Sequence, residues 1–294
     1  MPCYSPLTAW LDYGHLTKSG KPSVVFRGSN DPLYKPTTVP CGQCIGCRLE
    51  YSRKWAIRCT HEASLYDRNC FITLTYDDRS VMYDQNLHLD HLQKFFKRLR
   101  KKFGEGIRYF ACGEYGSKNG RPHYHALIFN FDFNDKKLWQ VNKNGTKYFV
   151  SDALSKLWTA GFSTTGAVTF ESAAYVARYT LKKASGNVKN DRPAHCRSEF
   201  LVMSRRPGVG KGWIEKYVDE VYPLDRVIAR GRECKPPRYY DSYYEAVAPD
   251  DYQLLKLSRE LTKKDGPVDY TRLSVSQIIK EYQISNLIRP LEYD

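Results

Sequence analysis

The chain has 294 residues, with 46 lysines and arginines against 32 acids, so it carries a net charge of +14. That length can bury a real core, and 41% hydrophobic with 14% aromatic residues excludes a disordered basic tail. The basic excess directs expectation to a polyanion, nucleic acid first, and the 23 tyrosines offer rings able to stack on unpaired bases.

At the N-terminus, "MPCYSPLTAW" shows no basic segment ahead of a long apolar run, so no signal peptide is expected. No stretch approaches the ~18 consecutive apolar residues of a membrane span. Residues 1–40, rich in Pro, Gly, Ser and Thr, read as irregular structure, and a helix follows over 48–66. "CFITLTY", 70–76, reads as a strand. "DHLQKFFKRLRKKFG" reads as a helix with Asp90 as N-cap and Leu92, Phe95, Phe96, Leu99 and Phe103 on one face. Lysine and arginine fill its other face, and Gly104 ends it.

"IRYFACG", 107–113, and "PHYHALIFNF", 122–131, read as strands joined by the turn-rich "EYGSKNGR". A short helix near "SDALSKLW" precedes a strand near 162–170. "ESAAYVARYTLKKAS" then reads as a helix that begins with an acid and ends with lysines, matching its dipole. The order β-α-β-β-α-β is that of the ferredoxin-like, split βαβ arrangement: an α+β fold with an antiparallel sheet and flanking helices. The expected organisation is an N-terminal Cys-rich segment and helix (1–69), a core (70–185) and a basic, Tyr-rich C-terminal region (186–294) of unassigned fold.

Side chains two apart on a strand share a face, which puts His123 and His125 together. Glu114 ends the preceding strand, and a hairpin would bring it beside them. Two imidazoles and one carboxylate make three ligands and leave open positions on a metal ion, which suits catalysis. The same set fits a non-haem iron site or a barrel metallohydrolase, although the strands do not alternate with helices as a barrel requires. Tyr175 and Tyr179, four apart, are neighbours on a helix. Alone they read as core aromatics; Lys182 and Lys183, one turn on, supply the cation a phenol of pKa about 10 needs to act as a nucleophile.

Three of the nine cysteines form C-x2-C-x2-C at Cys41, Cys44 and Cys47. Without a secretion signal this suggests reduced thiols, a cytoplasmic protein and a tetrahedral zinc site. Cys3 is the candidate fourth ligand, with Cys59 or His61 behind it. An iron–sulfur cluster and no metal at all are the competing readings. "RRPGVGKGW", 205–213, fails the phosphate-binding P-loop pattern and reads as a basic loop able to touch phosphates.

The H-x-H strand, the upstream glutamate and the Tyr-x3-Tyr helix with trailing lysines resemble an HUH endonuclease of the two-tyrosine type. More narrowly, "PCGQCIGCRLEYSRKWAIRCTHEA", "GRPHYHALIF", "YVARYTLKK" and "MSRRPGVGKGW" are similar to the replication initiators of gokushovirus-type microviruses, small single-stranded DNA phages. The resemblance spans most of residues 1 to about 220, and "FITLTYD" matches the family's first motif. It implies an HUH endonuclease core that nicks and rejoins single-stranded DNA at an origin in rolling-circle replication, through a 5′-phosphotyrosine intermediate. Glu114, His123 and His125 would hold Mg²⁺ or Mn²⁺, Tyr175 and Tyr179 would attack in turn, and Lys182 would assist, with Lys183 and Arg178 behind it. Host helicase and polymerase would be partners, in the cytoplasm of the bacterial host. A relaxase or transposase with the same site is the near alternative. A non-catalytic single-stranded DNA-binding or packaging protein is the distant one.

Overall fold

In the computed structural model, which describes residues 3–17, 20–28, 30–116, 120–142, 145–178, 196–262 and 268–286, the N-terminal segment is not irregular. It forms an antiparallel sheet of β1 (Leu7–Leu16), β2 (Pro22–Val25) and β3 (Tyr34–Val39), with β1 in the middle. The prolines that hid it stand where a sheet tolerates them: Pro22 opens β2 and Pro36 lies on the edge strand β3. The helix expected at 48–66 is α1 (Ile45–Ala63).

The central sheet follows from strands that alternate between two buried faces. Its core strands are β4 (Asn69–Tyr76), β5 (Arg108–Tyr115), β6 (Pro122–Phe129) and β9 (Gly161–Gly166), ordered β5-β6-β4-β9 and antiparallel throughout. With the helices α3 (Leu89–Phe103) after β4 and α4 (Asp152–Leu157) before β9, this is the split βαβ arrangement of an α+β fold. A short helix α2 (Asp78–Tyr83) precedes α3. Three strands extend the sheet: β7 (Lys137–Val141) and β8 (Lys147–Val150) beyond β9, and β10 (Phe200–Met203) outside β5.

Ile72, Leu74, Tyr124, Ala126 and Ile128 point to one face, where Leu92, Phe95, Phe96 and Leu99 of α3 and Leu154 and Leu157 of α4 cover them. Each such buried Leu or Phe contributes about 1.5–3 kcal/mol. Gly104 ends α3 at φ 97°, as expected, but the N-cap is His88 rather than Asp90, and Phe103 is 40% exposed. Asp90 instead sits in the first turn and pairs with Lys94 at 2.9 Å. Phe71, Phe110, Leu127 and Phe129 point to the other face, under Ala56 and Cys59 of α1 and Ala173, Tyr175 and Val176 of α5 (Phe170–Arg178).

The region after β10 has regular structure: α6 (Lys211–Val221), β11 (Val227–Ala229) paired with β12 (Arg232–Cys234), α7 (Arg238–Val247), α8 (Pro249–Leu261) and α9 (Tyr270–Ser285). Ile57 of α1, Ile214 and Val221 of α6 and Tyr240 of α7 make a third buried cluster. The chain divides into two compact units: residues up to Glu50 with α9, and Tyr51 through α8. No helix among the described residues is long and apolar enough to cross a membrane.

Candidate metal and nucleophile site

On β6 the sequence "PHYHALIF" sends His123, His125, Leu127 and Phe129 to the α1/α5 face. The two histidines occupy the end of that face where the apolar residues stop. The β5–β6 hairpin sets Glu114 directly opposite His123 and Cys112 opposite His125. On the other side of β6, Thr75 faces His123 and Thr73 faces His125. Glu114 and His125 are each 1% exposed, while the His123 side chain keeps 16% of its surface in contact with solvent.

Three groups converge on one carboxylate oxygen. Nε2 of His123 and Nε2 of His125 each lie 2.8 Å from Glu114 Oε1, and the Tyr175 hydroxyl donates to the same atom at 3.1 Å. The far ring nitrogens are held by the protein. His123 Nδ1 meets the Arg121 carbonyl at 3.0 Å, while its Nε2 faces Glu114. His125 Nδ1 meets the Thr73 hydroxyl at 3.0 Å, and its ring stacks on Phe71 with centroids 5.5 Å apart.

Burial raises the Glu114 carboxyl, but His125 and His123 beside it outweigh that effect and bring it to about 2. Burial pushes His125 down, against the attraction of Glu114, so its ring is held toward the neutral form. Two ring nitrogens and a carboxylate oxygen can converge this closely only with a cation among them, a proton or a metal ion. His125 Nε2 approaches Glu114 off the direction of a hydrogen bond, and both this atom and Glu114 Oε2 are buried without a hydrogen-bond partner. Such unpartnered buried atoms fit a divalent ion, with the outer ring nitrogens held by Thr73 and the Arg121 carbonyl.

Tyr175 owes its place to the anchoring of α5. Thr169 and Ser172 cap the helix reciprocally: the Ser172 amide donates to Thr169 Oγ1 at 3.1 Å and the Thr169 amide to Ser172 Oγ at 2.9 Å. Ser52 of α1 donates to the Ala174 carbonyl at 2.7 Å. The Tyr175 ring then meets His125 edge-on at 5.0 Å, with the Arg178 guanidinium 5.7 Å from the ring centroid. Tyr179, Lys182 and Lys183 lie outside the described residues. Neither Thr73 nor the Arg121 carbonyl was anticipated; their roles come from strand register rather than from residue type.

Cys3, Cys41, Cys44 and Cys47 form a second ligand group, with all four sulfurs within 4.8 Å of one another. Cys3 Sγ lies 3.6 Å from Cys41 Sγ and 3.8 Å from Cys44 Sγ. A Zn–S bond of about 2.3 Å puts the corners of a tetrahedron about 3.8 Å apart. The amides of Tyr4 and Cys44 donate to Cys44 Sγ and Cys41 Sγ, each at 3.3 Å. Burial raises the Cys44 thiol, yet the Cys47 and Tyr4 amides prevail and bring it to about 7, whereas burial pushes the Cys3 and Cys47 thiols up. The earlier alternatives play other roles: Cys59 is fully buried in the core, and His61 stacks on Trp213.

A third group, His88, Asp90 and His91, is as close-knit but already satisfied. His88 Nε2 lies 2.9 Å from Asp84 Oδ2, and its Nδ1 accepts from Arg197 at 2.9 Å. His91 Nδ1 is 2.7 Å from the Tyr76 hydroxyl. The Arg197 guanidinium opposes a metal ion there. The "RRPGVGKGW" loop is likewise fastened to the protein: the Gly210 amide donates to Glu62 at 2.6 Å, and Arg58 donates to the Val209 carbonyl at 2.8 Å.

Residues 69–184, which contain Glu114, His123, His125 and Tyr175, match the family model of the replication-associated protein ORF2/G2P. The chain is 37% identical over 235 residues to the replication-associated protein VP4 of Bdellovibrio phage phiMH2K, covering 77% of this chain and 73% of that protein. It is 36% identical to the replication-associated protein ORF2 of Spiroplasma virus 4, over 77% of this chain and 74% of the relative. The replication-associated protein ORF4 of Chlamydia phage 1 is 28% identical, over 72% and 55%. No solved structure matches. The chain belongs to the replication-associated proteins of gokushovirus-type microviruses.

Proposed function

We propose that this replication protein is an initiator that nicks and rejoins single-stranded DNA at a phage origin, with a tyrosine of α5 as nucleophile. The observation that carries the reading is the Tyr175 hydroxyl donating, at 3.1 Å, to the same Glu114 oxygen that both histidines face. A phenol at a three-ligand site suits attack on a phosphodiester better than a structural clip, which would fill its coordination with protein atoms. Glu114, His123 and His125 would hold Mg²⁺ or Mn²⁺, which polarises a scissile phosphate and offsets the charge that builds on its oxygens.

In the chemical step Tyr175 Oη bonds to phosphorus and the P–O3′ bond breaks. The phenolic proton is lost, and the departing 3′ oxygen takes one up. The product is a 5′-phosphotyrosyl link with a free 3′-OH, and the retained phosphodiester energy allows rejoining without ATP. The Arg178 guanidinium, 5.7 Å from the ring centroid, would offset the negative charge of the approaching phosphate. Tyr179 is assigned the second cut on the regenerated origin, and Lys182 the assistance of that chemistry. Unwinding and synthesis fall to host helicase and polymerase in the bacterial cytoplasm. For the four cysteines we assign a structural zinc, supported by the sulfur spacing.

The test is a detergent-resistant adduct between the purified protein and its genomic single strand in Mn²⁺. Tyr175→Phe and Tyr179→Phe singly should each retain adduct, while the double variant and His123→Ala should lose it. Adduct from the double variant would refute the tyrosine chemistry. Folded protein that binds single strands but never forms an adduct, with any divalent ion, would establish a binding or packaging role instead.

A further inference from the structure

The row of residues through the metal cluster continues across the sheet. Glu114, His123, Thr75 and Phe162 stand opposite one another on β5, β6, β4 and β9, so their side chains share one face. Strands lie about 4.8 Å apart, which places Phe162 about 10 Å from His123. Gly161 makes this register attainable: at φ 150° its Cα lies so close to β4 that an added Cβ would fall 2.3 Å from the Thr75 carbonyl oxygen.

Phe162 is 47% exposed and meets Trp139, 45% exposed, at 5.1 Å between centroids and 57° between planes. Tilted in this way, the rings do not cover each other face to face. Trp139 belongs to β7, the edge strand of the β7–β8 hairpin, in which every residue is exposed, Leu138 and Val141 among them. Edge strands ordinarily carry charge or cover rather than exposed aromatics. Between the row's two ends, Arg121 donates to the Tyr76 carbonyl at 3.1 Å and is ion-paired with Asp78, and Tyr76 is paired with Gly161.

We propose that Trp139 and Phe162 form a platform on which an unpaired base of bound single-stranded DNA stacks, next to the Glu114–His123–His125 cluster. The proposal rests on the reading of the chain as a single-strand nuclease. The occupant follows from the combination present: two aromatic rings with solvent-exposed surface for a base, and a net charge of +14 for the polyanion. The platform would hold a nucleotide flanking the scissile phosphate and so fix which phosphate reaches Tyr175.

Binding without chemistry tests this. A fluorescein-labelled oligothymidylate is titrated in EDTA, at several salt concentrations, with the full-length wild type, Trp139→Ala, Trp139→Phe and Phe162→Ala. Loss of one stacking ring should weaken binding about tenfold. The slope of log affinity against log salt should be unchanged, because no phosphate contact is removed. Trp139→Phe should recover most of the affinity. Unchanged affinity of Trp139→Ala and Phe162→Ala, a loss that Trp139→Phe fails to recover, or an equal loss on duplex DNA would overturn the platform while leaving the nuclease reading intact. A wild type that binds no single strand would overturn both.

Discussion

The two ligand clusters are built on opposite plans. Around Cys3, Cys41, Cys44 and Cys47, four soft ligands surround one point and backbone amides point at the sulfurs. Around Glu114, three ligands meet among the described residues, each imidazole is held from behind, and a tyrosine hydroxyl shares the space. A closed four-thiolate cage leaves an ion nothing to do but hold the chain. An incomplete set leaves room for a substrate oxygen. The difference lies in ligand number and in what stands beside the ligands.

Removing a cysteine should have the largest effect. Structural zinc supplies an apparent ~10–16 kcal/mol to the segment that binds it. Cys44→Ser should therefore lower bound zinc, read by elemental mass spectrometry, from one equivalent to none and expose the N-terminal segment to protease. His123→Ala should leave zinc at one equivalent, since it touches only the other cluster. Zinc lost from His123→Ala, or retained by Cys44→Ser, would break the distinction.

A smaller effect is expected from Thr73→Val, which removes the hydroxyl behind His125 and touches no metal. Mn²⁺ affinity, measured calorimetrically, should fall about 10–100-fold. The fold should lose only about 1 kcal/mol for the missing hydrogen bond. An unchanged Mn²⁺ affinity would show that ring orientation is set elsewhere.

A further effect concerns a histidine in neither cluster. His61 stacks on Trp213 at 3.5 Å and meets the Tyr240 hydroxyl at 3.0 Å, and burial lowers it to about 4. Between that value and its ordinary one near 6.5 the unfolded chain takes up a proton that the folded chain refuses. Stability from this group is therefore full above about pH 6.5 and is lost as pH falls toward 4. His61→Gln should flatten that part of the melting-temperature profile. An unchanged profile would mean that His61 charges in place.

The split βαβ core was legible because its elements have strong periods. Leu92, Phe95, Phe96 and Leu99 recur at helical spacing and are all buried. The β7–β8 hairpin was not read, although Asn-Gly at 144–145 is a turn signal, because β7 buries nothing and shows no alternation. β10 escaped notice because its partner β5 lies far away in the chain. The Glu114–His123–His125 cluster was legible from a period of two and one hairpin. Thr73 and Phe162 were not, since only cross-strand register brings them into the site.

The most direct measurement is the chemical identity of the DNA link. Protein carrying Tyr179→Phe is allowed to react with single-stranded genomic DNA, then digested with nuclease and trypsin and sequenced by mass spectrometry. The account predicts a nucleotide 5′-phosphate on the Tyr175 side chain. A linked nucleotide on any other residue, or a link that persists in Tyr175→Phe/Tyr179→Phe, would contradict it.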